Sequence, residues 1–334
     1  MPSAGIGQPR SGGIGVPSAV MDLLACPRCS GALTFWPDAC ICECGGYYPV
    51  EGGLISFASK DFSDKYDSVA MATRYVQYAF GAQLSRSDRG IPPDGRSEGL
   101  YRTISDICRG ELLASGTPAP MVVDMGCGVG RTVYDIASVH AGATVIGFDL
   151  SATLARCARD ICAGHSVRCG ASEDGWPQTE FRKRPLGNVF IAQANACSPP
   201  LKRPVIASVA QQGPPTDVAK PDTRSTRYPN LVLVSMLLDR LRAPEEVRAA
   251  VDSATGVLAE GGLLVASCPF NWTTERTWRY FGLSRTWLAD ALEKRNLAVE
   301  IYFDYLPYRE CLDPFGTTLE LPVQVCAARK KPGV

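Results

Sequence analysis

Through the middle of the chain, short apolar runs alternate with stretches whose apolar residues recur every third or fourth position. Met121 to Met125 is an apolar run that ends in glycines, and Arg131 to Ala141 has helical spacing. Ala143 to Phe148 is a second run and Ala152 to Ala163 a second helix. Val189 to Ala192, Leu231 to Ser235 and Leu263 to Ser267 read as further strands, with a helix over Glu245 to Leu258 stopped at Gly261-Gly262. Apolar strands alternating with amphipathic helices predict an α/β fold: a doubly wound, Rossmann-like sheet with helices on both faces. A late helix, Ser284 to Arg295, and two strands, Ala298 to Phe303 and Leu321 to Ala327, complete the pattern.

Upstream, Asp61 to Gln83 carries Tyr66, Val69, Ala70, Tyr75, Val76 and Phe80 at helical spacing, and Ser97 to Leu113 places Leu100, Ile104, Ile107 and Leu112 on one stripe. Cys197 to Asn230 is proline-rich and aperiodic, which predicts an exposed insertion. The expected units are a flexible tail (1–20), a small cysteine-bearing unit (21–58), a helical connector (59–117), and the α/β domain (118–334) with its insertion at about 198–229.

Composition narrows the function classes. The chain has 334 residues, 46% hydrophobic, and its 34 Lys plus Arg balance 34 Asp plus Glu. Zero net charge argues against gripping nucleic acid by bulk electrostatics. No run of about 18 apolar residues could span a membrane. The Gly-, Pro- and Ser-rich start lacks the apolar segment of a secretory signal, so a cytoplasmic protein with reduced thiols is expected.

Five of the 14 cysteines lie between Cys26 and Cys44. Cys26-Pro27-Arg28-Cys29 is a C-x2-C knuckle, and Cys40, Cys42 and Cys44 follow across a hairpin turning at Pro37-Asp38. Four thiolates from two such turns suit structural zinc. Cys26, Cys29 and Cys44 are the firm ligands, and Cys42 is favoured over Cys40 as the fourth. Leu24 to Phe57, with CPRC, Gly31-Ala32-Leu33 and CGGYYPVEGGLISF, resembles the Trm112-type zinc ribbon. That family usually carries C-x2-C in its second half, which would place a ligand at Ile41, and this chain departs there. A ribbon with four protein ligands leaves no open position for activating water, so its metal would be scaffold.

Val122-Val123-Asp124-Met125-Gly126-Cys127-Gly128-Val129-Gly130 is the most informative stretch. Glycines are needed where backbone turns sharply and a ligand approaches closely, and the carboxyl edge of the first strand is where doubly wound sheets bind nucleotides. Asp149 ends the next strand, placed to accept hydrogen bonds from both ribose hydroxyls. The spacing is G-x-G-x-G, unlike the dinucleotide G-x-G-x-x-G. Asp124 would repel a pyrophosphate but suits an ammonium group, as on S-adenosylmethionine (SAM).

The stretch resembles motif I of class I SAM-dependent methyltransferases, V-x-D-x-G-C-G-x-G. The resemblance implies a cofactor site of Asp124, Gly126, Cys127, Gly128, Gly130, Asp149, Leu150, Asn195, Ala196 and Ser235. Gly126 and Gly128 would lie under the homocysteine part, and Asp149 with Leu150 would hold the ribose. Asn195-Ala196 stands where the family has an acid-Ala pair, and the Asn oxygen can still accept from the adenine amino group.

Two loops at the carboxyl edge, following Leu231–Ser235 and Leu264–Ser267, are similar to the methyltransferase portion of ovothiol-synthase-type proteins, which methylate a sulfur-substituted histidine on an imidazole nitrogen. The resemblance rests on Leu237-Leu238-Asp239-Arg240-Leu241, on Pro269-Phe270-Asn271-Trp272 with Thr274 and Trp278, and on Leu306-Pro307-Tyr308-Arg309-Glu310. It departs at Cys268, at Phe270 for Tyr, and at Ser235 for Asn. It implies a substrate site of Phe270, Asn271, Trp272, Trp278 and Arg309, with Asp239 or Glu310 as a general base if one is required. Asp239 could equally cap a helix or pair with Arg240 or Arg242. Tyr66 and Tyr75 lie on a helix that could lid the pocket or simply pack. His140 and His165 fall outside these motifs and read as structural or solvated. The expectation is a SAM-dependent methyltransferase acting on a small molecule, plausibly a histidine-derived or thiol-containing metabolite. An RNA base methyltransferase and a catalytically silent SAM-fold partner are the alternatives.

Overall fold

The computed structural model describes residues 15–58, 67–84, 95–169, 178–203, 228–269, 286–311 and 318–332. The N-terminal part holds α1 (Ser18–Leu23) and four strands, β1 (Leu33–Phe35), β2 (Ala39–Cys42), β3 (Tyr47–Glu51) and β4 (Leu54–Ile55), paired in sequence order as an antiparallel sheet. Two long helices follow, α2 (Val69–Leu84) and α3 (Gly95–Ala114). The α/β part then runs β5 (Met121–Met125), α4 (Arg131–Val139), β6 (Thr144–Asp149), α5 (Ala152–Cys162), β7 (Val167–Cys169), β8 (Thr179–Phe181) and β9 (Val189–Gln193). It continues with β10 (Leu231–Ser235), α6 (Pro244–Val257), β11 (Leu263–Pro269), α7 (Trp287–Glu293), β12 (Leu297–Cys311) and β13 (Thr318–Lys330).

Seven strands form one sheet in the order β12-β13-β11-β10-β5-β6-β9. The pairs from β11 through β9 are parallel, and β13 runs antiparallel between β11 and β12. The fold is therefore a Rossmann-like α/β sheet with one reversed strand near its edge. Strand order changes direction between β5 and β10, the topological switch point where open α/β sheets form a ligand crevice.

Alternating residues along each strand serve opposite faces. Met121, Val123 and Met125 join α6, α7 and the N-terminal unit in one core. Val122, with Leu231 and Leu233 beside it, joins α2 to α5 in the other. This double burial is why the central strands read as continuous apolar runs rather than alternating ones.

The N-terminal unit is welded to this sheet. Leu23, Leu24, Tyr48, Ile55 and Phe57 share a core with β6 and β9. Phe57 N donates to Gln193 O at 2.8 Å, so the chain after β4 adds a short parallel bridge to the exposed edge of β9.

Three expectations change. The tail expected through residue 20 gives way to α1 at Ser18, because Val16, Val20 and Leu23 bury against the sheet. The start of the insertion is not exposed: Leu201 is buried and bridges Leu24, and Ala25 N donates to Pro200 O at 3.0 Å. Residues 204–227 lie outside the described residues. The final strands are much longer than their apolar cores suggested, because β12 and β13 pair as a hairpin through polar positions such as Arg309 opposite Glu320.

Candidate cofactor cleft and metal centre

Beyond Met125 the chain must reverse above the sheet before α4 begins. Gly126, Gly128 and Gly130 take φ of +84°, +55° and +81°. A Cβ on Gly126 would lie 3.0 Å from Leu237 Cδ1, and one on Gly130 only 2.9 Å from Ala158 Cβ. Gly126 thus lets the turn close under the segment after β10, and Gly130 lets α4 meet α5. A Cβ on Gly128 would meet nothing within 4 Å, which leaves that backbone bare toward the cleft.

The turn is fastened to β6. Gly126 N and Cys127 N both donate to Phe148 O, at 2.7 and 2.9 Å. Asp149 accepts from Gly128 N at 2.8 Å through Oδ2 and from Ser151 N at 2.9 Å through Oδ1. One carboxylate therefore joins the glycine turn to the start of α5. Asp67, just before α2, accepts from Ser151 Oγ at 3.0 Å and from Thr153 N at 2.8 Å, which holds its own carboxyl below the usual range despite partial burial.

Gly126, Gly128, Asp149, Leu150, Asn195 and Ala196, all expected at the cofactor, line one cleft together with Tyr75 of α2. It encloses about 890 Å³ of empty space, open mouth included. Asn195 is not idle: its Oδ1 accepts from Cys197 N at 2.9 Å, leaving its second lone pair for a ligand.

Asp124 lies beneath the turn rather than on the cleft wall. It is fully buried, Thr132 Oγ1 donates to its Oδ2, and its Oδ1 has no partner. Burial raises its pKa from 3.8 to about 7, against the Thr132 hydrogen bond, and the nearby Asp149 charge adds to the rise. A buried acid with an unpartnered oxygen under bare backbone fits a cationic ligand in the crevice.

Other residues expected at the cofactor do not line the cleft. Cys127 is buried and packs inward, its Sγ 3.0 Å from where a Cβ on Gly147 would stand. Gly130 serves helix packing. Ser235 turns from the cleft to Ser267, Oγ to Oγ 2.9 Å. Asp239 sits in a 3-10 turn beside the cleft, with Oδ2 3.0 Å from Arg240 Nε, the salt-bridge alternative weighed from sequence. Arg309 and Glu310 lie on β12, and their side chains fall outside the described residues, as do Tyr66, Phe270, Asn271, Trp272 and Trp278.

The loop after β10, expected at the carboxyl edge, supplies the opposite wall with Leu237, Arg240 and Leu241; Met236 and Glu246 join them without having been singled out. Met236 adopts φ +53° and its N donates to Ser267 O at 2.8 Å. A left-handed conformation in a non-glycine residue leaves no trace in sequence.

A second network also went unseen. Arg131 at the start of α4 is buried, paired with both oxygens of Glu98 on α3 at 3.0 and 2.9 Å and with Asp135 at 2.5 Å. Its guanidinium also faces the Phe80 and Tyr101 rings. This ties α2 and α3 to the helix that follows the glycine turn.

In the N-terminal unit, Cys26, Cys29, Cys42 and Cys44 bring their sulfurs within 4.8 Å of one another. The Cys26–Cys44 and Cys29–Cys42 pairs stand 3.6 and 3.5 Å apart, close to the separation of about 3.8 Å that tetrahedral Zn–S bonds of about 2.3 Å produce. The donor set fits zinc. Cys40 is fully buried outside the cluster, its thiol pushed up to about 12 by burial. Tyr48 OH lies 2.9 Å from Cys26 Sγ. Burial opposes ionisation of Cys26, but this contact and the backbone N–H groups of Arg28 and Cys29 outweigh it and bring the thiol down to about 6.

No protein-family model matches the chain, and no curated protein matches its sequence. Among solved structures it is similar to magnesium protoporphyrin IX methyltransferase from Synechocystis PCC 6803 with bound SAM, at 14% identity and TM-score 0.42, covering 80% of this chain and 100% of that one. It is also similar to the N-methyltransferase NodS from Bradyrhizobium japonicum WM9, at 14% identity and TM-score 0.40, covering 71% of this chain and 99% of that one. The [4+2]-cyclase SpnF is similar at the same 14% identity, with TM-score 0.44, over 80% of this chain and 97% of that one. Likenesses this distant concern layout; the chemistry has to be read from the cleft.

Proposed function

We propose that the chain is a SAM-dependent methyltransferase acting on a small molecule, with the cleft between β5, β6 and β10 as its cofactor site. The observation that carries this reading is the pairing of Asp149 on the cleft wall with the buried, unpartnered oxygen of Asp124 beneath bare glycine backbone. Two acids around one turn favour a ligand that is cationic at one end and carries a diol at the other.

When bound, SAM would supply an electrophilic methyl on a sulfonium. Asp149 and the Leu150 backbone would hold the ribose, Asn195 and Ala196 would border the adenine, and Asp124 would lend negative charge to the methionine end. The chemistry the cofactor would supply is transfer of that methyl to a lone pair of the acceptor, with S-adenosylhomocysteine as the leaving group and any acceptor proton passing to solvent or a nearby carboxylate. The protein's contribution is alignment and exclusion of water. Leu237 and Leu241 give the opposite wall the apolar surface this requires.

The finer reading is N-methylation of a histidine-derived or thiol-containing metabolite in the cytoplasm. It rests on the ovothiol-synthase-type resemblance, with Asp239 as the described candidate base. The N-terminal unit would be a Trm112-like ribbon whose structural zinc Cys26, Cys29, Cys42 and Cys44 hold.

Calorimetry of the full chain with SAM and with S-adenosylhomocysteine tests the cofactor assignment. Binding is expected, and Asp149→Ala should weaken it by about 100-fold or more, since two hydrogen bonds to a charged carboxylate are lost at about 1.5–3 kcal/mol each. Absence of binding by the unaltered protein would favour the silent-partner alternative.

A further inference from the structure

The edge of β9 next to the N-terminal unit carries a side chain that the cofactor reading leaves unused. Gln193 is the last residue of β9 and stands in register with Asp149 on β6. Its side-chain amide is engaged at both ends. Ser56 Oγ donates to Gln193 Oε1 at 2.6 Å, and Gln193 Nε2 donates to Leu150 O at 2.9 Å. The backbone bonds fall one residue away on each side: Gln193 O accepts from Phe57 N at 2.8 Å, and Ala194 N donates to Asp149 O at 2.9 Å.

We propose that Gln193 is a positioning residue for the cofactor turn, fixing the Asp149-Leu150 corner of the cleft against the N-terminal unit through Ser56. This rests on the reading of the cleft as a SAM site.

The chemistry suits an amide. Ser56 offers a proton and needs an acceptor, while the Leu150 carbonyl needs a donor. The glutamine amide supplies both at once without any change of protonation. Glutamate would keep the Ser56 bond but set a carboxylate against a carbonyl, close to Asp149. Methionine would fill the space and keep neither bond. Leu150 lines the cleft and follows the acid that receives Gly128 N. A shift of its carbonyl therefore moves the surface against which the ribose would lie. The N-terminal unit holds its end of the link firmly: Ser56 N donates to Pro49 O at 2.9 Å, and Arg159 Nη1 of α5 donates to Gly52 O. The unit thereby acts on cofactor affinity without lining the cleft.

The test is S-adenosylhomocysteine affinity by calorimetry on the full chain, with thermal unfolding as a control on folding. Gln193→Met, which breaks the link, is expected to weaken binding by roughly fivefold, and Gln193→Glu, which adds carboxylate–carbonyl repulsion at Leu150, by about tenfold. Ser56→Ala should cost about threefold, and Ser56→Thr, which keeps the hydroxyl, should restore affinity to within about twofold. In the Gln193→Met background, Ser56→Ala should cost nothing further, because the path is already cut. A purely structural role would lower the unfolding midpoint of all four variants without this non-additive pattern in affinity. If both Ser56→Ala and Gln193→Met bind S-adenosylhomocysteine as tightly as the unaltered chain, the proposal fails and the cofactor reading stands. If the unaltered chain itself does not bind, the cofactor reading fails and this proposal with it.

Discussion

The N-terminal unit and the cofactor cleft solve the same problem, holding irregular backbone in place, by opposite means. Around the cysteines the apolar residues belong to a core shared with the α/β sheet rather than to one of the unit's own. Strands of two to five residues meet, Cys29 and Cys44 are exposed, and Ile41 and Tyr47 face solvent. Units below about 40 residues rarely bury enough surface to fold unaided, and here four sulfurs converge where a core would otherwise be. The glycine turn is the reverse case. It lies on strands buried on both faces, and no cross-link is needed because residues 126, 128 and 130 take conformations that side chains would forbid. Converging sulfurs add to a shared core in one region, and burial makes room for bare backbone in the other.

The comparison breaks most sharply at the cysteines. Cys29→Ser should drop bound zinc to near background and expose the N-terminal unit to protease. Structural zinc in small domains contributes about 10–16 kcal/mol of apparent binding energy. Cys40→Ala, outside the cluster, should keep its zinc. Metal analysis of the two purified variants decides this: equal loss in both would dissolve the four-ligand assignment.

A smaller effect is expected at Gly130. Gly130→Ala puts a Cβ 2.9 Å from Ala158 Cβ at φ +81°. It should cost about 2–3 kcal/mol in urea unfolding, from overpacking and left-handed strain together. An unchanged midpoint would mean that α4 and α5 do not approach as described.

The smallest effect is the pH dependence of Asp124. Its folded pKa of about 7 lies above the ordinary value of 3.8, so the folded chain holds a proton that the unfolded chain has released between those values. Its contribution to stability is greatest below about pH 4, falls as pH rises, and levels off as a penalty above about pH 7. Cofactor binding runs the other way, since a cationic ligand favours the ionised acid. SAM affinity should rise by up to about tenfold between pH 6 and 8, and Asp124→Asn should flatten that profile. A titration in which Asp124→Asn keeps the full slope would remove Asp124 from the site.

Much of the cleft was legible because its chemistry is local in sequence. The strand, the three glycines and Asp149 at the next strand end require only period and spacing, and they come together at Gly128 N and Asp149 Oδ2. The roles within that motif were not legible. Cys127 and Gly130 sit among cofactor letters yet pack inward, because a motif records which residues a turn needs without saying which serve the ligand and which serve the neighbouring helix. Cys42 was preferred to Cys40 from spacing alone, and the sulfur cluster includes Cys42 while burying Cys40 elsewhere.

What the sequence by itself determined was the alternation of strands and helices, the glycine turn with its two acids, and the presence of a thiol cluster, since each follows from periodicity or from chemistry confined to a few neighbouring residues. What only the tertiary structure decided was contact between distant segments. It buried Arg131 between Glu98 and two aromatic rings, closed the far wall with Met236 and Leu237, and joined Ser56 to Leu150 through Gln193. Such pairings depend on how whole elements stack, and a side chain that bonds across more than a hundred residues carries no periodic mark of its partner.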